Sequence, residues 1–202
     1  MQLLLVRHAL PLRSEPGEGS DPSLSPEGVE QAARLPAALA RFPITRLVSS
    51  PQVRAIETGQ PVADARGLPI EIDERFAEYD RDLAHYIPIE HIAEENPQEL
   101  QRLIDGHLPS GVDEDEFLGR VSAGVDDLVA TTGHDETVAV FSHGGVINAL
   151  LHKALGTDRL LSCHVDYASV TRVLKSRTGR LAVASVNGTE HVWDLLPRNS
   201  RW

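Results

Sequence analysis

The stretch LLLVRHAL at residues 3–10 sets an arginine and a histidine directly after a run of aliphatic residues. The apolar run over residues 2–6 is continuous and of strand length, which is typical of a strand buried on both faces of its sheet. The same order returns further along the chain, where the apolar residues 138–141 lead into Ser142-His143-Gly144-Gly145. The sequence therefore predicts two buried strands that each end in a histidine.

Helical patterns separate the strands of the first half of the chain. One helix should open at Ser25-Pro26, an N-cap residue followed by a first-turn proline, and Pro36 should kink or split it. A second helix should open at Ser50-Pro51 in the same way, and Pro61 should end or bend it. The apolar positions expected to face the core in the first helix are Val29, Ala32, Ala33 and Leu39.

Alternating strands and helices predict an α/β fold, a three-layer sandwich in which a mostly parallel central sheet has helices on both faces. We expect one domain over residues 1–202, because no repeat or linker interrupts the pattern. Prolines divide residues 76–110 into short helical pieces, which we interpret as a cap or lid. The predicted strands are 2–6, 46–49, 70–72, 138–141 and a terminal hairpin of 170–174 and 181–186 joined through Thr178-Gly179, and the later helices are 116–130 and one that follows Gly145.

Composition and charge restrict the partners of this chain. The 202 residues carry a formal net charge of −11, so nucleic acids and anionic membranes would be repelled over most of the surface, and we expect neither as a partner. An anionic ligand would need a local positive pocket. Cys163 is the only cysteine, which suits a reducing compartment and predicts a cytoplasmic location.

The two histidine-ended strands can build such a pocket. In open α/β sheets ligands bind beyond the carboxyl ends of the strands, where both His8 and His143 would emerge. Arg54 would lie about one turn into a helix that follows another strand, so that a bound anion would feel its guanidinium and the helix N-terminus. Gly144 would let the backbone approach that anion closely. Forked arginine donors and two imidazoles together favour a phosphoryl group as the ligand.

Four segments, taken in this order, resemble the histidine phosphatase superfamily, the phosphoglycerate mutase-like group. The resemblance implies that family's α/β fold and a phosphohistidine mechanism that needs neither a metal nor another cofactor. The segments extend over about three-quarters of the chain. They are Leu5-Val6-Arg7-His8; Asp21 to Gly28 with Gln31-Ala32; Ser49-Ser50-Pro51 with Arg54-Ala55 and Glu57-Thr58; and Ser142-His143-Gly144-Gly145.

The same resemblance implies roles for single residues. His8 would be the nucleophile, and Arg7, Arg54 and His143 would hold the three non-bridging phosphoryl oxygens. Phe76-Ala77-Glu78 matches the family's acid pattern best, which makes Glu78 the general acid. The glycine and Trp-Glu-Gly that usually follow this pattern are absent, so Asp80 and Glu74 stay open as alternatives.

The segment after the nucleophile also departs from the family. Ala9 and Leu10 stand where the family usually has glycine and glutamate, and Ser14 is the counterpart available for a downstream asparagine. Ser14 and Gly144 are the expected substrate-binding residues.

These residues predict a phosphomonoesterase that takes a small phosphorylated substrate and releases inorganic phosphate. A phosphoglycerate mutase is the first alternative, but mutases of this family usually carry a larger insertion than residues 76–110. A non-catalytic phosphate-binding module is the second, and the irregular sequence around Glu78 keeps it open. A serine hydrolase is disfavoured, because the chain lacks Gly-x-Ser-x-Gly around Ser142. Residues 11–25 and 76–110, with His85 and His91 among them, should select the substrate.

Overall fold

A six-stranded sheet forms the centre of the fold. The computed structural model describes residues 1–14, 19–81 and 96–197. The strands are β1 (Gln2–Arg7), β2 (Ile44–Ser49), β3 (Ile70–Ile72), β4 (Thr137–Ser142), β5 (Val170–Lys175) and β6 (Leu181–Gly188). The helices are α1 (Pro26–Ala38), α2 (Val53–Arg66), α3 (Pro97–Ile104), α4 (Glu114–Thr131) and α5 (Gly144–Leu155), with 3-10 turns at Glu74–Phe76 and Trp193–Leu195.

The strand order β3-β2-β4-β1-β5-β6 brings the two histidine-ended strands side by side. β1 pairs with β4 in parallel, and the register sets Arg7 opposite Ser142. On the side of β4 away from β1, β2 pairs with β4 in parallel, and β3 pairs with β2 in parallel. The terminal hairpin β5–β6 adds two antiparallel strands beside β1. Parallel strands end at the same edge of a sheet, so His8, Ser50 and His143 leave it together.

Apolar residues cover both faces of the sheet. Leu3 and Leu5 of β1 face a core shared with α4 and α5, where Phe117 and Ile147 pack. The alternate residues Leu4 and Val6 face the opposite core, which includes residues of α1 and α2. Period-two alternation therefore sends consecutive residues of one apolar run into different cores, each burial stabilising the fold by about 1.5–3 kcal/mol. The predicted three-layer sandwich with a mostly parallel sheet is confirmed.

The start of α2 differs from the prediction. Ser50 does not cap the helix: its N–H donates to the Phe141 carbonyl 2.9 Å away, which extends the pairing of β2 with β4. Gln52 is the N-cap residue, and α2 begins at Val53. Of the two outcomes expected for Pro61, an end of the helix does not occur, because α2 runs on to Arg66. It stops at Gly67, whose φ of 64° is the left-handed conformation typical of a helix C-cap.

Three further expectations about local structure need correction. Pro36 lies inside α1 but does not split it, since the helix continues to Ala38. Val29 and Ala33 face solvent, because the buried stripe of α1 runs through Gln31, Ala32 and Leu35. The Val29 side chain is 58% exposed. β2 begins at Ile44 rather than at residue 46, and a bulge separates the two positions.

The proposed cap is described only in part. Residues 82–95, which include His85 and His91, lie outside the described residues, so the expectation for these histidines is not addressed. The described remainder contains α3, whose N-cap Asn96 accepts from the Glu99 N–H. Among the helices of the described ranges, none has the length and apolar character needed to cross a bilayer.

Candidate active site

Arg7 and His8 are fixed by backbone hydrogen bonds at the end of β1. The Arg7 N–H donates to the Ser169 carbonyl at 3.2 Å, and the His8 N–H donates to the Ser142 carbonyl at 2.8 Å. The His8 carbonyl accepts from the Ala168 N–H at 3.2 Å. Both side chains therefore start from a backbone that is held by a neighbouring segment on each side.

The imidazole of His8 is buried and oriented. Its Nδ1 lies 2.8 Å from the Ala9 carbonyl, which can only accept, so Nδ1 carries the proton and Nε2 keeps its lone pair. Burial lowers the pKa of His8 well below its ordinary value of 6.5, and the charges of Arg54 and Arg7 lower it further. A neutral ring whose Nε2 carries a free lone pair can act as a nucleophile.

His143 lies beside His8, with the two ring centroids 5.2 Å apart. Its Nε2 lies 2.7 Å from Ser50 Oγ, while its buried Nδ1 has no hydrogen-bond partner among the described residues. Burial lowers the pKa of His143, and the charge of Arg54 adds to that effect. A buried nitrogen without a protein partner suits a ring that must bind a ligand atom.

Arg54 is fully buried and is held by acidic and backbone oxygens. Its Nη2 donates to both Asp80 carboxylate oxygens at 2.8 and 2.7 Å, and its Nη1 donates to the Ser20 carbonyl at 2.9 Å. Asp21 lies 3.6 Å from the same Nη1. This ion pair makes Asp80 the counter-ion of Arg54, with both of its carboxylate oxygens in contact with the guanidinium group.

Glu78 is a second buried carboxyl group of this region, with 6% of its surface exposed. Its Oε2 accepts from the Gly145 N–H at 2.8 Å, and its own N–H donates to Gln52 Oε1 at 2.7 Å. Burial raises the pKa of Glu78 to about 7, and the negative charge of Asp80 contributes to the rise. Glu74, the other glutamate of this segment, is exposed on a 3-10 turn.

The two expected substrate-binding residues stand in different situations. Gly144 begins α5, and a Cβ built there would lie 3.8 Å from Arg7 Nε, so this position adjoins the arginine. Ser14 is buried in the segment after β1, and its contact with a substrate stays a prediction. In the part of the chain that the structure describes, no three His, Cys, Asp or Glu side chains are grouped as a metal ion requires.

Sequence reasoning missed several neighbours of these residues. Tyr167 is buried, its ring lies 3.9 Å from the guanidinium carbon of Arg7, and its centroid lies 5.6 Å from that of His8. Gln52 links Glu78 to Asp80 through its side-chain amide. No local pattern marks either residue, since each meets its partner only through the fold. The N–H of Gly145, which directly follows the expected substrate-binding residue Gly144, donates to Glu78.

Comparison with known proteins agrees with this geometry. The bifunctional protein Rv2228c of Mycobacterium tuberculosis is 33% identical over 202 residues, which cover 95% of this chain and 55% of that protein; the chain spans about half of its length. A Hydrogenobacter thermophilus protein with the provisional name phosphoserine phosphatase 2 is 29% identical over 183 residues, covering 85% of this chain and 88% of that protein.

Solved structures share the fold. Mycobacterial glucosyl-3-phosphoglycerate phosphatase superposes with a TM-score of 0.77 at 23% identity, over 93% of this chain and 98% of that one. The family model of the histidine phosphatase superfamily, branch 1, matches residues 3–189. With strands, histidines and arginines arranged as described, the chain belongs to the histidine phosphatase superfamily.

Proposed function

We propose that the protein is a metal-independent phosphomonoesterase that works through a phosphohistidine on His8. One observation carries the proposal: a neutral, buried His8 with a free lone pair on Nε2 lies beside His143 and close to two arginines, in a site that also contains a carboxyl group with a pKa of about 7. Membership of the histidine phosphatase superfamily supports it.

In the first step Nε2 of His8 attacks phosphorus, a P–N bond forms and the P–O ester bond breaks. Glu78 gives its proton to the departing alkoxide, which is a far better leaving group as an alcohol. Arg7, Arg54 and the Nδ1 side of His143 oppose the charge on the phosphoryl oxygens. These positive and polar groups act in a buried site, where electrostatic stabilisation is stronger than in water.

In the second step water attacks the phosphohistidine, and the Glu78 carboxylate accepts the proton that water loses. The P–N bond breaks, inorganic phosphate leaves, and both His8 and Glu78 return to their starting forms. The substrate is a small phosphate ester, and Ser14 and Gly144 contribute to its binding. We also propose a cytoplasmic location, which the single cysteine supports.

Phosphoenzyme trapping tests the proposal. Wild type should hydrolyse 4-nitrophenyl phosphate in the presence of a metal chelator. It should also carry acid-labile label when its reaction with a radiolabelled phosphate ester is quenched. His8→Ala should do neither, whereas His134→Ala, which changes an exposed histidine, should behave as wild type. Label retained in His8→Ala would refute the assignment of the nucleophile.

Two further measurements separate the alternative functions, a mutase and a phosphate-binding module. A mutase would exchange label between 3-phosphoglycerate and a bisphosphate faster than it releases phosphate. A binding module would bind inorganic phosphate yet leave the aryl ester unhydrolysed.

A further inference from the structure

Gln52 occupies an unusual position for a helix N-cap residue. Its side chain makes no capping hydrogen bond to α2 and is directed elsewhere, with 4% of the residue exposed. The side-chain Oε1 accepts from the Glu78 N–H at 2.7 Å, and the Nε2 donates to Asp80 Oδ1 at 2.8 Å. One amide group therefore joins the segment that carries Glu78 to the carboxylate that holds Arg54.

The chemistry of its two neighbours fixes the orientation of this amide. A backbone N–H can only donate, and the carboxylate in the ion pair with Arg54 accepts, so oxygen must face Glu78 and nitrogen must face Asp80. The Gln52 amide thus supplies an acceptor at one of these points and a donor at the other. Apolar residues or a shorter side chain would leave a buried group without its partner, which is costly.

The peptide unit between Ala77 and Glu78 is held from both sides. Its N–H donates to Gln52, and its carbonyl accepts from Arg120 Nη1 at 2.9 Å. At the far end of the Glu78 side chain, Oε2 accepts from the Gly145 N–H at the start of α5. Without Gln52 the peptide unit would keep the Arg120 contact but could rotate about it, and the carboxyl group would move with it.

We propose that Gln52 is a positioning residue for the general acid: it fixes the backbone of Glu78 relative to the Asp80–Arg54 pair, so that the proton donor and the anion-binding arginine keep one spatial relation. This inference rests on the proposed function, since it assigns to Glu78 the proton delivered to the leaving group. Proton transfer requires the donor within about 2.6–3.2 Å of the leaving oxygen. A displacement of about 1 Å can lower a rate on the order of 100-fold.

The test is the dependence of the rate on the leaving group. Gln52→Met keeps the length and volume of the side chain and removes both hydrogen bonds. For glycerol 2-phosphate, whose alkoxide needs a proton to leave, kcat/KM should fall at least about tenfold, because an acid out of place forfeits part of its contribution. For 4-nitrophenyl phosphate, whose leaving group is stable as an anion, kcat/KM should stay within about threefold of wild type.

A control variant and a substitute variant complete the test. Gln60→Met changes an exposed glutamine of the same helix whose side chain donates to Asp64, and it should leave the activity on both substrates unaffected. If Gln52→Met does not fold, Gln52→Glu serves instead: it keeps an acceptor for the Glu78 N–H but sets a carboxylate against Asp80, and the same selective loss is expected. Circular dichroism and thermal melting report the fold of each variant.

The outcomes separate this inference from the proposed function. A selective loss on the alkyl ester supports it. Equal losses on both esters, or no loss on either, overturn it while leaving the proposed function intact. Wild type inactive on both esters would overturn the proposed function itself.

Discussion

Gly145→Ala should separate the catalytic contribution of Glu78 from the stability of the fold. A Cβ built at Gly145 would lie 3.1 Å from Cδ of Glu78 and closer still to its Oε1. Carbon atoms that are not bonded to each other pack at about 3.5–4.0 Å, so the carboxyl group cannot stay in place. It would have to turn away from the Gly145 N–H, to which it is now hydrogen-bonded.

The expected loss of activity is much larger than the expected loss of stability. General acid catalysis contributes about 10²–10⁴-fold, so kcat/KM for an alkyl phosphate should fall by about that factor. One hydrogen bond to the carboxyl group is lost, which costs about 1.5–3 kcal/mol, but alanine at a helical position recovers nearly 1 kcal/mol. A net change of about 1–2 kcal/mol should lower Tm by only a few degrees in a domain of this size.

Steady-state kinetics on glycerol 2-phosphate and differential scanning calorimetry measure the two effects. Gly119→Ala is the matched control, because Gly119 lies on the exposed face of α4 and a Cβ there meets nothing within 4 Å. That control should keep full activity and gain slightly in Tm. Gly145→Ala with the alkyl activity of wild type would refute the reasoning, since it would mean that the carboxyl group in contact with Gly145 does not deliver the proton.

Three further predictions address the protonation, packing and cation of the site. Because Glu78, with a pKa of about 7, must be protonated to act, kcat/KM for alkyl phosphates should decline as pH rises through that value, and the decline should be absent in Glu78→Gln. Between pH 4.5 and about 7 the folded state holds a proton on Glu78 that the unfolded state releases, so the free energy of unfolding of wild type falls as the pH rises. At about pH 8, urea unfolding should therefore show Glu78→Gln to be more stable than wild type by on the order of 3 kcal/mol. This difference should disappear below about pH 4.5. Gly28→Ala should lower the free energy of unfolding by about 1–3 kcal/mol or more, because its Cβ would overlap the Leu10 carbonyl, and equal urea midpoints for variant and wild type would contradict this. Tyr167→Leu removes the ring from the Arg7 guanidinium and should lower kcat/KM about 10–30-fold, whereas Tyr167→Phe should stay near wild type; similar values for the two variants would show that the ring is not needed.

The architecture could be predicted because buried strands and helices have recognisable patterns of apolar residues in the local sequence. The apolar runs at residues 2–6 and 138–141 are buried strands that pair directly with each other. The helix predicted at residues 116–130 is present as α4, and four apolar residues at helical spacing, Phe117, Val121, Val125 and Leu128, are buried along it. Strands covered on both faces and helices with one apolar face can be predicted from the spacing of apolar residues alone. The elements against which they pack do not have to be known.

In the site, sequence reasoning fails where the partner of a residue lies far away in the sequence. Ser50 has the sequence of a helix cap, yet its N–H pairs with Phe141 and its hydroxyl group lies against His143. Arg54 could be assigned to an anion site from its position, but its bond to Asp80 arises only in the fold. The link through Gln52 is of the same kind, since neither of its contacts falls within a helical turn or a strand pair.

Burial is the largest cause that brings the proposed nucleophile and the proposed acid into the protonation states that their chemistry needs. At their ordinary values, 4.5 for a glutamate and 6.5 for a histidine, a pH that keeps the imidazole neutral leaves the carboxyl group ionised. Desolvation disfavours the charged form of each group, so it lowers the pKa of His8 and raises that of Glu78, and the order of the two is reversed. Between the two shifted values both groups are neutral at once, with a lone pair on Nε2 and a proton on the carboxyl group. The charge of Arg54 also lowers the pKa of His8, and the charge of Asp80 also raises that of Glu78. Arg54 lowers the pKa of Glu78 as well, but by less than Asp80 raises it, so the ion pair between Arg54 and Asp80 widens this pH window.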